Sequence, residues 1–105
     1  MSKTCIVLTT AGSHEEAKKI AHSLVERRLA ACVNIVSQIE SVYRWQGKVE
    51  SATEFLLVIK TKADLFERVR DATKELHSYD LPECVMLEIS AGSKEYLEWI
   101  AENTA

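Results

Sequence analysis

Two long runs of alternating residues, joined by a two-residue turn signal, constrain this chain more than any other feature. From Cys32 onward apolar residues recur with period two, with Val33, Ile35, Ile39, Tyr43 and Trp45 on one face and Val36 and Val42 on the other. Gln46-Gly47 supplies a hairpin turn, and the chain returns through Val49 to the dense run Phe55-Leu56-Leu57-Val58-Ile59 before Lys60. The pattern predicts two strands of about thirteen residues, roughly 40 Å at ~3.3 Å per residue, the first with room for a bulge. A helix of about sixteen residues covers only about 24 Å. The hairpin therefore outruns any helix that could cover it.

The flanking segments supply those helices. Cys5 to Thr9 is a short apolar run closed by Ala11-Gly12-Ser13, which reads as a buried strand and a turn. Ser13 and Glu16 form a capping box, and Ala17, Ile20, Ala21, Leu24, Val25 and Arg28 trace a helical stripe that ends near Ala30. Thr61 with Asp64 starts a second helix carrying Leu65, Phe66, Val69, Ala72 and Leu76. Pro82 breaks the pattern, so His77 to Glu83 reads as a loop. Cys84 to Ile89 is a fourth strand with Val85, Leu87 and Ile89 on one face, and Ser93 caps a last helix carrying Leu97, Trp99 and Ile100. The order βαββαβ plus a terminal helix is the split βαβ pattern of an α+β, ferredoxin-like fold, with both main helices on one face of an antiparallel sheet.

At 105 residues the chain is long enough for one such domain, spanning 1–105, and too short for two. Its formal net charge of −3 supplies no basic footprint for nucleic acid or an anionic membrane surface. The opening residues Met-Ser-Lys-Thr-Cys-Ile-Val lack the apolar core of a secretory signal, and no apolar stretch approaches spanning length, so a cytoplasmic location is expected. Cys5, Cys32 and Cys84 are odd in number and widely spaced, which reads as reduced thiols rather than a disulfide or zinc framework.

The covering problem predicts self-association. The face left by the helices carries Val36, Val42, Leu56 and Val58, and the hairpin overhang carries Tyr43 and Trp45. A closed homo-oligomer packs those faces together and pairs the hairpin with a neighbour's edge strand.

Chemistry concentrates in His77-x-Tyr79-Asp80-x-Pro82-Glu83, where imidazole, phenol and carboxylates lie between a helix end and a strand start. Imidazole beside carboxylate suits a borderline divalent cation such as copper or zinc, although from local sequence His77 more readily just caps the last carbonyls of its helix. Glu54 lies six positions before Lys60 on the same strand face, so both are candidates for a shared cleft with Tyr79, Asp80 and Glu83. The i,i+8 spacing of His14 and His22 is not that of paired ligands on adjacent turns. No Ser or Cys stands in a nucleophile elbow, and Thr9-Thr10-Ala11-Gly12-Ser13 lacks the arginine of an acylphosphatase-type anion cradle. The first strand lacks the aromatics of an RNA-recognition sheet. A binding protein, not an enzyme, is the reading.

Several segments together resemble one family. Val7-Leu8-Thr9-Thr10-Ala11, Ala30-Ala31-Cys32-Val33-Asn34-Ile35, Ser41-Val42-Tyr43-Arg44-Trp45-Gln46-Gly47-Lys48, Ile59-Lys60-Thr61 and His77-Ser78-Tyr79-Asp80-Leu81-Pro82-Glu83 are similar to the CutA divalent-cation tolerance proteins. The resemblance runs almost to the end of the chain. It implies a small cytoplasmic homotrimer of ferredoxin-like subunits, similar to the PII signalling proteins and associated with tolerance to copper and other divalent cations. Members linked to copper place a Cys near the end of the first strand, an acidic residue ahead of Ile-Lys-Thr, and the His of the His-x-Tyr-x-x-Pro-Glu motif. Glu54 and His77 match the last two, while Thr9 stands at the first position, where a hydroxyl is a poor ligand for a soft metal. The resemblance thus leaves two expectations: a copper-binding tolerance protein holding metal with His77, Glu83 and Glu54, or a PII-like trimer binding a small metabolite or a partner protein through Lys60, Tyr79 and Asp80.

Overall fold

The computed structural model describes residues 3–105; Met1 and Ser2, where the reading of the leader begins, lie outside the described residues. Four antiparallel strands form one sheet in the order β2-β3-β1-β4: β1 (Thr4–Ala11), β2 (Cys32–Trp45), β3 (Lys48–Lys62) and β4 (Val85–Glu88). Helices α1 (His14–Glu26) and α2 (Phe66–Leu76) connect them, and α3 (Lys94–Glu102) closes the chain against β3 and β1. This is the ferredoxin-like arrangement that the pattern predicts.

The core lies between the sheet and the first two helices. Cys5, Val7, Leu57 and Ile59 point into it from the strands, and Ala17, Ile20, Leu24, Val69 and Ala72 from the helices. Ile20, Leu24, Leu57 and Ile59 are fully buried, each contributing about 1.5–3 kcal/mol by removal from water. Ser13 caps α1 as its sequence suggests, its Oγ accepting from the Glu16 amide at 3.2 Å. The helix stops at Glu26 rather than near Ala30. Arg28 turns left-handed at φ 57°, and the Arg28 and Leu29 amides donate back to the Val25 and Leu24 carbonyls, the double closure of a Schellman motif.

Three further boundaries differ from expectation for local reasons. Thr61 does not start α2; it lies inside β3, buried, with its hydroxyl donating to the Leu29 carbonyl at 2.6 Å, and a 3-10 turn over Ala63–Leu65 leads into the helix. β4 is shorter than Cys84 to Ile89, because it pairs with β1 only from Leu8↔Val85 to Cys5↔Glu88. Ser93 holds the cap position of α3 but makes no side-chain bond there.

The expected bulge is present and its consequence is larger than its size. The β2–β3 register runs to Val36↔Leu56 and resumes at Ile39↔Glu54, so β2 carries one extra residue, with Gln38 at φ 56°. Val33 and Ile35 oppose Ile59 and Leu57 on the helix face. Beyond the bulge the parity flips, and Ile39, Tyr43 and Trp45 share the uncovered face with Glu54 and Leu56. The single face expected for Val33, Ile35, Ile39, Tyr43 and Trp45 is thus divided in two. Val42, paired with Ser51, falls on the side opposite Val36, beyond the reach of the helices.

The hairpin turns at Gln46 and Gly47, both with positive φ as a tight two-residue turn requires, and gives the molecule a 44 Å long axis against 25 and 22 Å. Across the uncovered face, ladder pairing aligns Val85, Leu8 and Val58 in one row and Leu87 with Ile6 in the next. Leu56 and Val36 extend it toward the other edge.

Candidate functional site

α2 ends at Leu76 because His77 turns extended, at φ −87° and ψ 142°, and sends the chain around the end of β1. The His77 ring is fully buried there. Its Nε2 lies 2.6 Å from the Thr10 carbonyl oxygen, while Nδ1 faces both the Tyr79 amide at 3.1 Å and Glu16 Oε1 at 3.2 Å. Glu16 Oε1 also accepts from the Ser78 amide at 3.2 Å. Glu16, read from sequence as half of a capping box, instead fastens a loop about sixty residues away.

The loop so held delivers Tyr79 to the uncovered side of the sheet. Its hydroxyl donates to Glu54 Oε2 at 2.8 Å, and its ring packs on His77 with centroids 4.6 Å apart. Gly12 makes room for it: a Cβ on that residue would stand 3.0 Å from the Tyr79 oxygen. Burial and the bond to Glu54 push the Tyr79 phenol up to about 12.

Between this loop and the base of the hairpin opens a cleft of about 630 Å³. Glu54 lies at its inner wall, only 8% exposed, Asp80 and Glu83 come from the loop, and Tyr43, Trp45 and Tyr79 provide aromatic surface. None of the lining residues is basic. Glu54, Tyr79, Asp80 and Glu83 are therefore brought together as the sequence suggests. Lys60 is not: its ammonium bonds Asn34 Oδ1, toward the other end of β3. His77 supports the loop from behind and does not line the cleft.

The donors available to a cation are oxygens. Among the described residues, no three His, Cys, Asp or Glu side chains converge on one point. Cys5 is buried with its thiol pushed up to about 11, chiefly by burial, and Cys32 and Cys84 stand apart as free thiols. Thr9, which the resemblance sets at the first-strand cysteine position of copper-linked members, is buried, and its hydroxyl has no hydrogen-bond partner among the described residues. The residues suit a cation held by carboxylates and not one held by a thiolate.

Relatives match this arrangement along its length. The family model for CutA1 divalent ion tolerance protein matches residues 5–103. The chain belongs to the CutA1 family. The divalent-cation tolerance protein CutA of Thermus thermophilus is 50% identical over 99 residues, which cover 94% of this chain and 96% of that protein. A solved structure of a Thermus thermophilus divalent cation tolerance protein, described as Cut A1, superposes with a TM-score of 0.95 at 49% identity, over 97% of this CutA1-family chain and 99% of the other. A structure from Archaeoglobus fulgidus, described as a periplasmic divalent cation tolerance protein CutA, superposes with a TM-score of 0.92 at 46% identity over 95% and 97% of the two chains. The chloroplastic CutA of Arabidopsis thaliana is 48% identical over 94% of this chain, which spans about half (54%) of that longer protein.

Sequence reasoning misses Glu16, Gly12 and the Thr10 carbonyl. The capping box already accounts for Glu16, and nothing local signals a bond to residue 78. Tyr43 and Trp45 read from sequence as interface residues only; the bulge that turns them toward Glu54 is what makes them walls of the cleft.

Proposed function

We propose that this CutA1-family chain serves divalent-cation tolerance as a non-enzymatic, cytoplasmic homotrimer that binds Cu(II) or a similar cation at the cleft beside the His77–Glu83 loop. One observation carries the binding reading: Glu54, Asp80 and Glu83 line one cleft with no basic side chain among its walls. Asp80 and Glu83 are the exposed donors. Glu54 joins them by releasing the Tyr79 hydroxyl, whereas His77, buried behind the loop, joins only if the loop rearranges and frees one of its ring nitrogens from Thr10, Tyr79 or Glu16. The apolar run of Val85, Leu8 and Val58 on the sheet face opposite α1 and α2 supports assembly, and unpaired thiols suit a reducing compartment. No helix among the described residues is long and apolar enough to cross a membrane, and the acidic balance offers nothing to nucleic acid.

Isothermal titration with CuCl2 tests the reading. Wild type is expected to bind, Glu83→Gln with Asp80→Asn to bind at least fivefold more weakly, and His77→Ala decides whether the imidazole ligates or only supports. No heat of binding in wild type removes copper as the ligand.

A second reading, a PII-like trimer that binds a small molecule at the same cleft, is favoured by the cleft's size. A volume of about 630 Å³ lies within the ~300–1,000 Å³ range of organic-ligand pockets and far exceeds the needs of one ion.

A further inference from the structure

We infer that the cleft between the hairpin base and the Tyr79 loop is a site for a small organic cation, an ammonium group attached to an apolar body. The inference rests on the second reading above and supplies the ligand class that reading lacks. Three observations specify it. Glu54, Asp80 and Glu83 give the walls a negative field with no compensating Lys, Arg or His among the lining residues. Tyr43, Trp45 and Tyr79 add aromatic surface, whose π faces attract cations that are too weakly hydrated to demand a full oxygen shell. While Glu54 is bonded to Tyr79, the carboxylates are spread around the cavity and not gathered onto one point among the described residues, and the cavity is wide enough for a ring-bearing ligand.

The Tyr79–Glu54 bond refines the chemistry. Tyr79 spends its proton on Glu54 Oε2, so the phenol oxygen faces the cleft as an acceptor and Glu54 presents a fixed carboxylate beside it. Carboxylates and a phenol oxygen that only accept call for a ligand that donates. An ammonium does so, while an anion or a neutral carbonyl compound meets repulsion or unmatched acceptors.

The test compares benzylammonium, benzyl alcohol and benzoate, which share a body and differ in charge, on the assembled protein at neutral pH. A Trp99→Phe background leaves Trp45 as the only indole and makes its fluorescence a reporter of the cleft. Benzylammonium is expected to bind at least tenfold more tightly than benzyl alcohol, benzoate not to bind, and Asp80→Asn with Glu83→Gln to erase the preference. Both substituted residues are exposed, so the fold is retained, which circular dichroism checks. Saturation-transfer NMR on benzylammonium reads binding independently of the indole. Equal binding of ammonium and alcohol, or no binding of benzylammonium, overturns the inference. If benzylammonium fails while benzyl alcohol or benzoate binds, the small-molecule reading stands without the cationic class; if none of the three binds, the small-molecule reading falls with it.

Discussion

His77 Nε2 meets the Thr10 carbonyl oxygen at 2.6 Å, a distance that requires the ring to carry its proton on that nitrogen and donate it. The other nitrogen faces two partners of opposite demand. A neutral ring accepts from the Tyr79 amide, whereas a protonated ring donates to Glu16 Oε1. The neutral ring thus ties β1 to the loop, the protonated ring ties β1 to α1, and Glu16 holds the loop through the Ser78 amide.

His77→Ala breaks all of the ring's contacts and leaves the Thr10 carbonyl and the Tyr79 amide without them. A loss of roughly 1–3 kcal/mol is expected in urea unfolding. Faster amide exchange at Ser78 and Tyr79 locates the damage in the loop. Unchanged exchange there means that Glu16 and the backbone hold the loop by themselves.

The Tyr79 phenol, held up at about 12, makes a pH prediction. Its raised pKa stabilises the fold fully below the unfolded value near 10, and that contribution is lost as pH rises from about 10 through 12. Difference absorbance at 295 nm between wild type and Tyr79→Phe is expected to show one tyrosine ionising near 12. Glu54→Gln brings that step down toward the ordinary value of about 10. An unmoved step means that burial, and not the carboxylate, sets it.

Gly12→Ala tests the same contact from the other side. The added methyl stands 3.0 Å from the Tyr79 oxygen, so one of them must move. The tyrosine ionisation step is expected to fall as it does in Glu54→Gln, with about 1 kcal/mol of stability lost along with the bond.

Legibility in the sequence follows the range of each interaction. Strand and helix order, the Ser13 cap and the Gln46-Gly47 turn are local, and all are readable from neighbouring residues. The Gln38 bulge shows how one local irregularity sets a distant outcome: it reverses the parity of every later residue in β2 and places Tyr43 and Trp45 on Glu54's side. The motif around Tyr79 announces a site, but the bonds that position it, Glu16 to Ser78 and Tyr79 to Glu54, join residues whose neighbours in sequence predict nothing of each other. Lys60 fails the same way. Its strand face is correct, and the cleft lies about six residues along that face, about 20 Å at ~3.3 Å per residue.

Thr9 offers the converse case, a buried polar group with nothing to satisfy it. Its hydroxyl sits on the core face of β1, opposite Leu57, without a partner among the described residues. An unpaired buried hydroxyl costs about 1–3 kcal/mol relative to an apolar isostere. Thr9→Val is therefore expected to raise stability by up to about 1 kcal/mol in urea unfolding. A loss of stability instead means that the hydroxyl has a partner in solution.

Self-association is the expectation with the sharpest geometric basis, because Val85, Leu8 and Val58, with Leu87 and Ile6 beside them, lie in rows across the sheet face opposite α1 and α2. Val85 and Leu87 remain about half exposed, at 49% and 51%, on an edge strand of only four residues whose outer backbone groups have no ladder partner within the described residues. Covering such a face against copies of itself relieves both defects, and a charge at its centre reverses the gain, since a buried unpaired carboxylate costs several kcal/mol. Sedimentation velocity of wild type at micromolar concentration is expected to give a trimer. Val58→Asp is expected to give monomer with the same far-ultraviolet circular dichroism, as that side chain lies outside the core between sheet and helices. A monomeric wild type removes the assembly and with it any site built between subunits. A trimeric Val58→Asp shifts the contact to the Tyr43 and Trp45 hairpin, where paired substitution to serine is the next cut.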